Sequence, residues 1–144
     1  MLYLKKPKDF AKKFDVAACF FECNGEFLIL HRHNHKSEGD KWGLPAGKIN
    51  SGETPVDGAL REIYEETGNR VRKENLVFFR KMYVRYPDFD FDYYLFSIAL
   101  TEKPQVTLSE REHKDSKWVT PKGALSMNLM RDFDSTVRLF FCIK

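Results

Sequence analysis

This chain predicts an α/β domain, and three observations lead there. A helix with one clean apolar side can be drawn over residues 55–67. Two pairs of apolar, aromatic-rich runs, each joined by turn residues, read as β-hairpins. A further amphipathic helix closes the chain over Ser135–Ile143.

The chain has 144 residues, 42% of them apolar, so one domain over residues 1–144 with its own core is expected. Its formal charge of +3 comes from 24 basic and 21 acidic residues, a near balance that argues against a nucleic-acid binder. Cys19, Cys23 and Cys142 are odd in number and lack Cys-x-x-Cys spacing, so they read as reduced thiols of a cytoplasmic protein. No apolar run suits a signal peptide or a membrane span.

Residues 1–14 carry Lys5, Lys6, Lys8, Lys12 and Lys13 and read as a solvated arm or edge segment, or as a patch that draws in anionic nucleotides. Val16–Cys23 is a buried strand, Asn24-Gly25 a hairpin turn, and Phe27–His33 the returning strand. His31, His33 and His35 at alternate positions would share one strand face, where a transition-metal site is conceivable. A polar loop over 34–41 leads to Trp42-Gly43-Leu44-Pro45-Ala46-Gly47.

The most informative stretch is 47–69. A glycine loop from Gly47 to Gly52 precedes a helix with Thr54 as N-cap and Pro55 at the first helical position, where a missing N–H costs nothing. Val56, Ala59, Leu60, Ile63 and Thr67 recur along one side, and Gly68 can end the helix in the left-handed region. Glu62, Glu65 and Glu66 fall together on the other side. Like charges at this spacing repel. A hard divalent cation would offset that repulsion, and Mg²⁺ is commonly held by one or two carboxylates plus substrate phosphates.

Beyond the helix, Leu76–Tyr86 and Phe91–Leu100 form the second hairpin around Pro87-Asp88-Phe89-Asp90. Most of its aromatics belong to core or sheet surface, with Tyr83 and Tyr86 the first candidates to stack on a base or sugar. Asp88, Asp90 and Asp92 alternate, as a solvated turn or an incomplete Ca²⁺ pattern would. Thr101–Glu110 is a polar connection, Glu110, Glu112 and His113 follow, and Lys117-Trp118-Val119 is a short strand. A helix runs from Pro121 to about Met127. Asp134 would cap the closing helix, with Val137, Phe140 and Phe141 facing the core.

Gly47, Glu53, Arg61, Glu62, Glu65, Glu66 and Gly68 closely resemble the Nudix box, and chance alone would produce such a match on the order of once in several million chains. Asn69 departs from the aliphatic residue usual there, and Ala46 replaces the first glycine of the family's Leu-Pro-Gly-Gly run. The resemblance implies an α/β/α sandwich around a mixed sheet, with the box helix at the rim of a cleft. It implies a metal site of Ala46 (through its carbonyl), Glu62, Glu65 and Glu66, with Mg²⁺ bound and Mn²⁺ as substitute. If the Ala46 position needs positive φ, alanine would be strained. Glu53 and Arg61 are implied to be a structural pair, alongside the structural glycines Gly47 and Gly68. Arg32 at a strand end is implied as a phosphate contact, although a surface arginine reads equally well. Glu112, with Glu110 behind it, is the candidate for an acidic loop residue that completes the site. The base is Glu62, Glu65 or Glu112.

The activity so implied is hydrolysis of the diphosphate bond of a nucleoside diphosphate linked to another group, by metal-activated water. The absence of a Pro-Lys-Gly run argues against dinucleoside polyphosphates and diphosphoinositols, and that of a downstream Ser-Pro-Gly against ADP-ribose. A (d)NTP or a nucleotide sugar is the expected substrate. The alternative is a catalytically silent nucleotide-binding or sensor domain, although no box glutamate is lost. A third reading is RNA 5′-end processing with the basic arm. Homodimers are common in the family, but the sequence leaves the oligomeric state of this chain, homodimer or monomer, open.

Overall fold

The computed structural model describes residues 1–144. Its strands are β1 (Leu2–Tyr3), β2 (Lys12–Cys23), β3 (Glu26–Arg32), β4 (Trp42–Gly43), β5 (Ala46–Lys48), β6 (Val77–Arg85), β7 (Asp90–Leu100) and β8 (His113–Val119). Its helices are α1 (Pro55–Thr67), α2 (Pro121–Leu125) and α3 (Phe133–Phe141). The expected hairpins are present. Asn24 and Gly25 both take positive φ, 51° and 78°, as the tight turn between β2 and β3 requires.

Parallel pairing of β2 with β7, from Phe14↔Phe91 to Cys23↔Leu100, joins the two hairpins into one mixed sheet. Along its path the order is β1-β6-β7-β2-β3-β4, with β5 beside β2 and β8 beside β3. On its other side β2 changes partner. Val16–Ala18 pair with β5, whereas only Glu22 and Cys23 pair with β3. The sheet splays between these two contacts, and the Trp42–Lys48 segment fills the opening.

Alternation along β2 builds both layers of core. Ala17, Cys19 and Phe21 face α1 with Ala59 and Ile63. Ala18 and Phe20 face α2 and α3, with Phe27, Ile29, Phe133 and Val137. Phe140 stacks on Phe20 at 4.2 Å between centroids and Phe141 meets it edge-on, as their spacing predicts. Helices therefore cover both faces, and the sandwich is α/β/α.

Several boundaries differ from the sequence expectation. β2 begins at Lys12 and β8 at His113, because a neighbouring strand extends the ladder past the apolar run. Leu2 and Tyr3 pair with β6, so the start of the basic segment is an edge strand. β4 and β5 carry no strand signal and exist through their partners β3 and β2. Asp132 (φ 62°) caps α3 without a side-chain bond, and Asp134 falls in the first turn instead.

Two of the three alternating aspartates, Asp90 and Asp92, hold cationic side chains. Asp90 takes a fork from Arg85 (Nε 2.9 Å, Nη2 3.0 Å) and the Ala11 N–H at 2.9 Å. Asp92 is buried between Lys12 (3.4 Å) and Lys81 (3.3 Å). The Arg85 fork, then the Ala11 N–H, hold the Asp90 carboxyl below its usual range. A depressed carboxyl stabilises the fold above its unfolded pKa, and that contribution is lost as pH falls through the lower folded value. Asp90→Asn is therefore expected to flatten the acid limb of the stability curve below about pH 4, as read by urea melts at a series of pH values. An unchanged acid limb would exclude the pair as a contributor.

Candidate active site

The box helix forms as its sequence dictates. Thr54 Oγ1 accepts the Asp57 N–H at 3.1 Å, Pro55 opens the first turn, and Gly68 ends the helix at φ 75°. Asn69 donates through Nδ2 to the carbonyls of Thr67 (3.1 Å) and Gln105 (3.0 Å), tying the helix end to the connection that follows β7.

The three glutamates share one side of the helix, as the sequence expects, but differ in exposure. Glu66 is 2% exposed, the Glu62 side chain 13% and the Glu65 side chain 53%. The reason is β5, which lies against that side of the helix. Ala46 N–H donates to Glu66 Oε1 at 2.8 Å. Gly47 lets Glu62 in: a Cβ there would sit 2.2–2.4 Å from its carboxylate. Ala46 does not take positive φ, so the strain anticipated for alanine is absent.

Arg61 is the hub on the outer side. Its Nε and Nη2 grip both oxygens of Glu53 (2.8 and 3.0 Å), and Nη2 also reaches the Lys48 carbonyl at 2.9 Å. Its Nη1 donates to Glu62 Oε1 at 2.8 Å and Glu65 Oε2 at 3.1 Å. One guanidinium thus ties the glycine loop, through Glu53, to two of the three helix carboxylates. The Glu53 carboxyl is held below its usual range chiefly by this hydrogen bond.

The inner side has no such cation. Glu66 and Glu112 bring carboxylate oxygens within 4.8 Å of each other. Burial first, then the charge of Glu62, pushes the Glu66 carboxyl well above the usual range. Burial also raises Glu62, against the pull of Arg61. Carboxylates crowded in this way, with one backbone N–H on Glu66, suit a divalent cation. Glu66, Glu112 and His113 each offer a ligand atom within 4.8 Å of the others. Glu110 is exposed and lies outside this group.

Gly47→Ala is expected to leave stability within about 1 kcal/mol of wild type, because the clashing atoms are the far end of a flexible side chain. The displaced Glu62 carboxylate should still cost activity about tenfold. Thermal melts and steady-state rates check the pair, and an unchanged rate would show that the inward position of Glu62 is dispensable.

Other candidate residues scatter. Arg32 pairs with His113 across the β3–β8 ladder, and its Nε donates to the Ser37 carbonyl at 2.9 Å. His31 stacks on Trp42 at 4.2 Å and meets Asp40 at 3.0 Å, while His33 and His35 stack on each other, so the three histidines form no shared site. Alternation puts Tyr83 and Tyr86 on opposite sheet faces. Tyr83 packs against Phe10, with Lys81 beside it. Tyr86 lines a cavity of about 110 Å³ with Ala46, Leu44, Tyr93, Met130 and Arg131. The Arg131 guanidinium lies 3.9 Å from the Tyr86 ring centroid. The Met130-Arg131 wall of that cavity escaped sequence reading because an irregular loop has no periodicity to mark it. His113 escaped because a lone histidine has no ligand spacing.

Known proteins bear on this arrangement. A family profile for the NUDIX domain matches residues 12–139. The chain is similar to a MutT-like protein of Streptomyces ambofaciens, 31% identical over 80 residues, 53% of this chain and 49% of that protein. It is also similar to an RNA pyrophosphohydrolase of Bartonella bacilliformis, 43% identical over 53 residues, 37% of this chain and 30% of that protein. Alignment to a nucleoside triphosphate pyrophosphatase/Nudix hydrolase fusion protein of Bifidobacterium longum spans only 8% of that protein. These matches thus span less than half the length of the curated relatives. Among solved structures, a MutT protein from Methanosarcina mazei shares the fold with a TM-score of 0.75 at 23% identity, over 94% of this chain and 96% of that one. No helix is long and apolar enough to cross a membrane. With the profile covering most of the chain and the box carboxylates gathered beside β5, the protein belongs to the Nudix domain family.

Proposed function

We propose that this chain is a metal-dependent pyrophosphohydrolase that cleaves the diphosphate bond of a nucleotide-type substrate, a (d)NTP or a nucleotide sugar. The observation that carries this reading is Glu66, a carboxylate 2% exposed whose oxygen lies within 4.8 Å of a Glu112 oxygen and which has no lysine or arginine to neutralise it. Glu66, Glu62, Glu65, Glu112 and the Ala46 carbonyl are the oxygen donors that would hold divalent cations, Mg²⁺ in the first instance. Bound there, a divalent cation would neutralise the diphosphate and activate water for attack at phosphorus.

The chain's own residues have separate tasks in this reading. Arg61 orients Glu62 and Glu65 through one nitrogen, leaving the exposed Glu65 open to solvent. Glu62, Glu65 and Glu112 are the candidates to take a proton in this reading. The cavity shares Ala46 with the site, so a base or sugar lodged against Tyr86 would bring its phosphates toward α1. Arg32, next to His113, is the candidate for a phosphate contact.

The relative named as an RNA pyrophosphohydrolase makes 5′-triphosphate RNA a second substrate to try. The basic arm cannot be trimmed cleanly for that purpose, since Leu2–Tyr3 pair with β6 and Lys12 begins β2. Charge reversal at the exposed Lys5, Lys6 and Lys8 is the better probe.

The test is a substrate panel with Mg²⁺, with and without EDTA, products identified by mass. It should contain dNTPs, 8-oxo-dGTP, ADP-ribose, nucleotide sugars, dinucleoside polyphosphates and 5′-triphosphate RNA. Metal-dependent cleavage of a dNTP or nucleotide sugar is expected. No turnover from folded protein whose melting temperature still responds to a nucleotide would favour a catalytically silent binding domain instead.

A further inference from the structure

We propose that His113 supplies a nitrogen ligand to the cation held by Glu66 and Glu112, so that this inner position prefers a first-row transition ion such as Mn²⁺ to Mg²⁺. The inference rests on the cation site proposed above and goes beyond the oxygen donors assigned there.

His113 opens β8 and is 3% exposed. Its Nδ1 is buried with no hydrogen-bond partner, the only side-chain nitrogen or oxygen in the chain so placed. A buried, unpaired ring nitrogen is costly, and in a native fold it calls for a partner such as an ion. The imidazole is not adrift in the core. It offers a ligand atom within 4.8 Å of oxygens from both Glu66 and Glu112. Donors around an ion at about 2.1 Å lie roughly 3–4 Å apart, so small side-chain movements would close the three onto one centre.

Backbone contacts hold the group in place. His113 N–H donates to the Ser109 carbonyl at 2.9 Å, and the Glu112 carbonyl accepts the His33 N–H at 3.0 Å. The β3–β8 ladder then fixes the strand start against Arg32. Glu66 reaches the same point from α1, held by the Ala46 N–H. The three donors thus come from two parts of the chain, Glu66 from α1 and Glu112 with His113 from the entry to β8.

The donor type sets the preference. Mg²⁺ demands oxygen in near-ideal octahedral geometry and sheds water reluctantly. Imidazole suits the later divalent ions, and affinity for a mixed nitrogen and oxygen site rises from Mn²⁺ toward Cu²⁺. One nitrogen in place of an oxygen therefore penalises Mg²⁺ relative to Mn²⁺, Co²⁺ or Zn²⁺.

The deciding experiment is pulsed EPR on the substrate-free protein loaded with one equivalent of Mn²⁺. Wild type should show an imidazole nitrogen coupling that changes from a ¹⁴N to a ¹⁵N pattern on histidine-selective labelling. The chain has four histidines, so the combined variant His31→Gln, His33→Gln and His35→Gln leaves His113 as the sole imidazole and should keep the coupling. His113→Leu should lose it and lower the ratio of Mn²⁺ to Mg²⁺ affinity, measured by calorimetry, about tenfold. If that variant fails to fold, the labelled triple variant decides alone. Mn²⁺ bound without imidazole coupling would overturn this inference and leave the carboxylate site intact. No Mn²⁺ bound at all, by a protein that is folded, would overturn the cation site itself.

Discussion

Replacing Glu66 with glutamine is expected to lower kcat more than about a hundredfold, roughly 3 kcal/mol of transition-state stabilisation, while the protein stays folded. Glutamine keeps the shape and the acceptor oxygen that takes the Ala46 N–H. It removes the charge that no protein cation neutralises. In the absence of metal the variant should be at least as stable as wild type, because a buried carboxylate beside Glu62 and Glu112 is a burden on the fold. The contrast appears on adding metal. A cation at 100 times its Kd stabilises wild type by about 2.7 kcal/mol, several degrees in melting temperature, and the variant should lose most of that gain. Glu65→Gln is expected to cost a similar factor in rate, but with little change in the metal-free melt, since Glu65 is already half in water and paired with Arg61. Thermal melts with and without Mg²⁺, beside steady-state rates, separate the two. A Glu66→Gln enzyme with wild-type kcat would remove Glu66 from the list of metal ligands.

Arg61→Ala should be nearly as damaging, for a geometric reason. The guanidinium makes five contacts: two with Glu53 and one each with Lys48, Glu62 and Glu65. Without it the glycine loop is released from the helix and two carboxylates lose their orientation. A fall in kcat of about a hundredfold is expected, because misplacement of catalytic groups by an ångström costs that much, together with a melting temperature lowered by several degrees. Arg61→Lys is the sharper version. It keeps the charge but replaces a planar fork by a point donor, and it should recover little activity. If lysine restores the rate fully, charge balance and not orientation is the task of Arg61.

Much of the box could be read directly. The cap at Thr54, the first-turn proline and the left-handed Gly68 are local events, settled within four residues by backbone hydrogen bonds and φ preference. The pairing of Glu53 with Arg61 was legible too, but through resemblance and not through spacing, since it bridges a loop and a helix. The long aromatic-rich strands, Val77–Arg85 and Asp90–Leu100, fell within a residue of their expected ends. Short strands did not. Trp42–Gly43 and Ala46–Lys48 carry no pattern of their own and are strands because β3 and β2 lie beside them.

The burial of the glutamates shows the same limit at the site. A helical wheel puts Glu62, Glu65 and Glu66 on one polar side, and on an isolated helix all three would be solvated. The fold lays β5 across that side, so that Glu66 is enclosed, Glu62 enters the space left by Gly47, and Glu65 stays at the rim. The α/β class, the box helix with its ends, and the acidic residues on one helix side were therefore readable from the residues alone, because they follow from short-range propensity and periodicity. Which of those acids is buried, the gathering of Glu112 and His113 beside Glu66, and the cavity that Tyr86 rather than Tyr83 shares with Ala46 emerge only in the folded chain. Those outcomes depend on contacts between residues tens of positions apart, created by strand pairing and helix packing, and no local pattern encodes them.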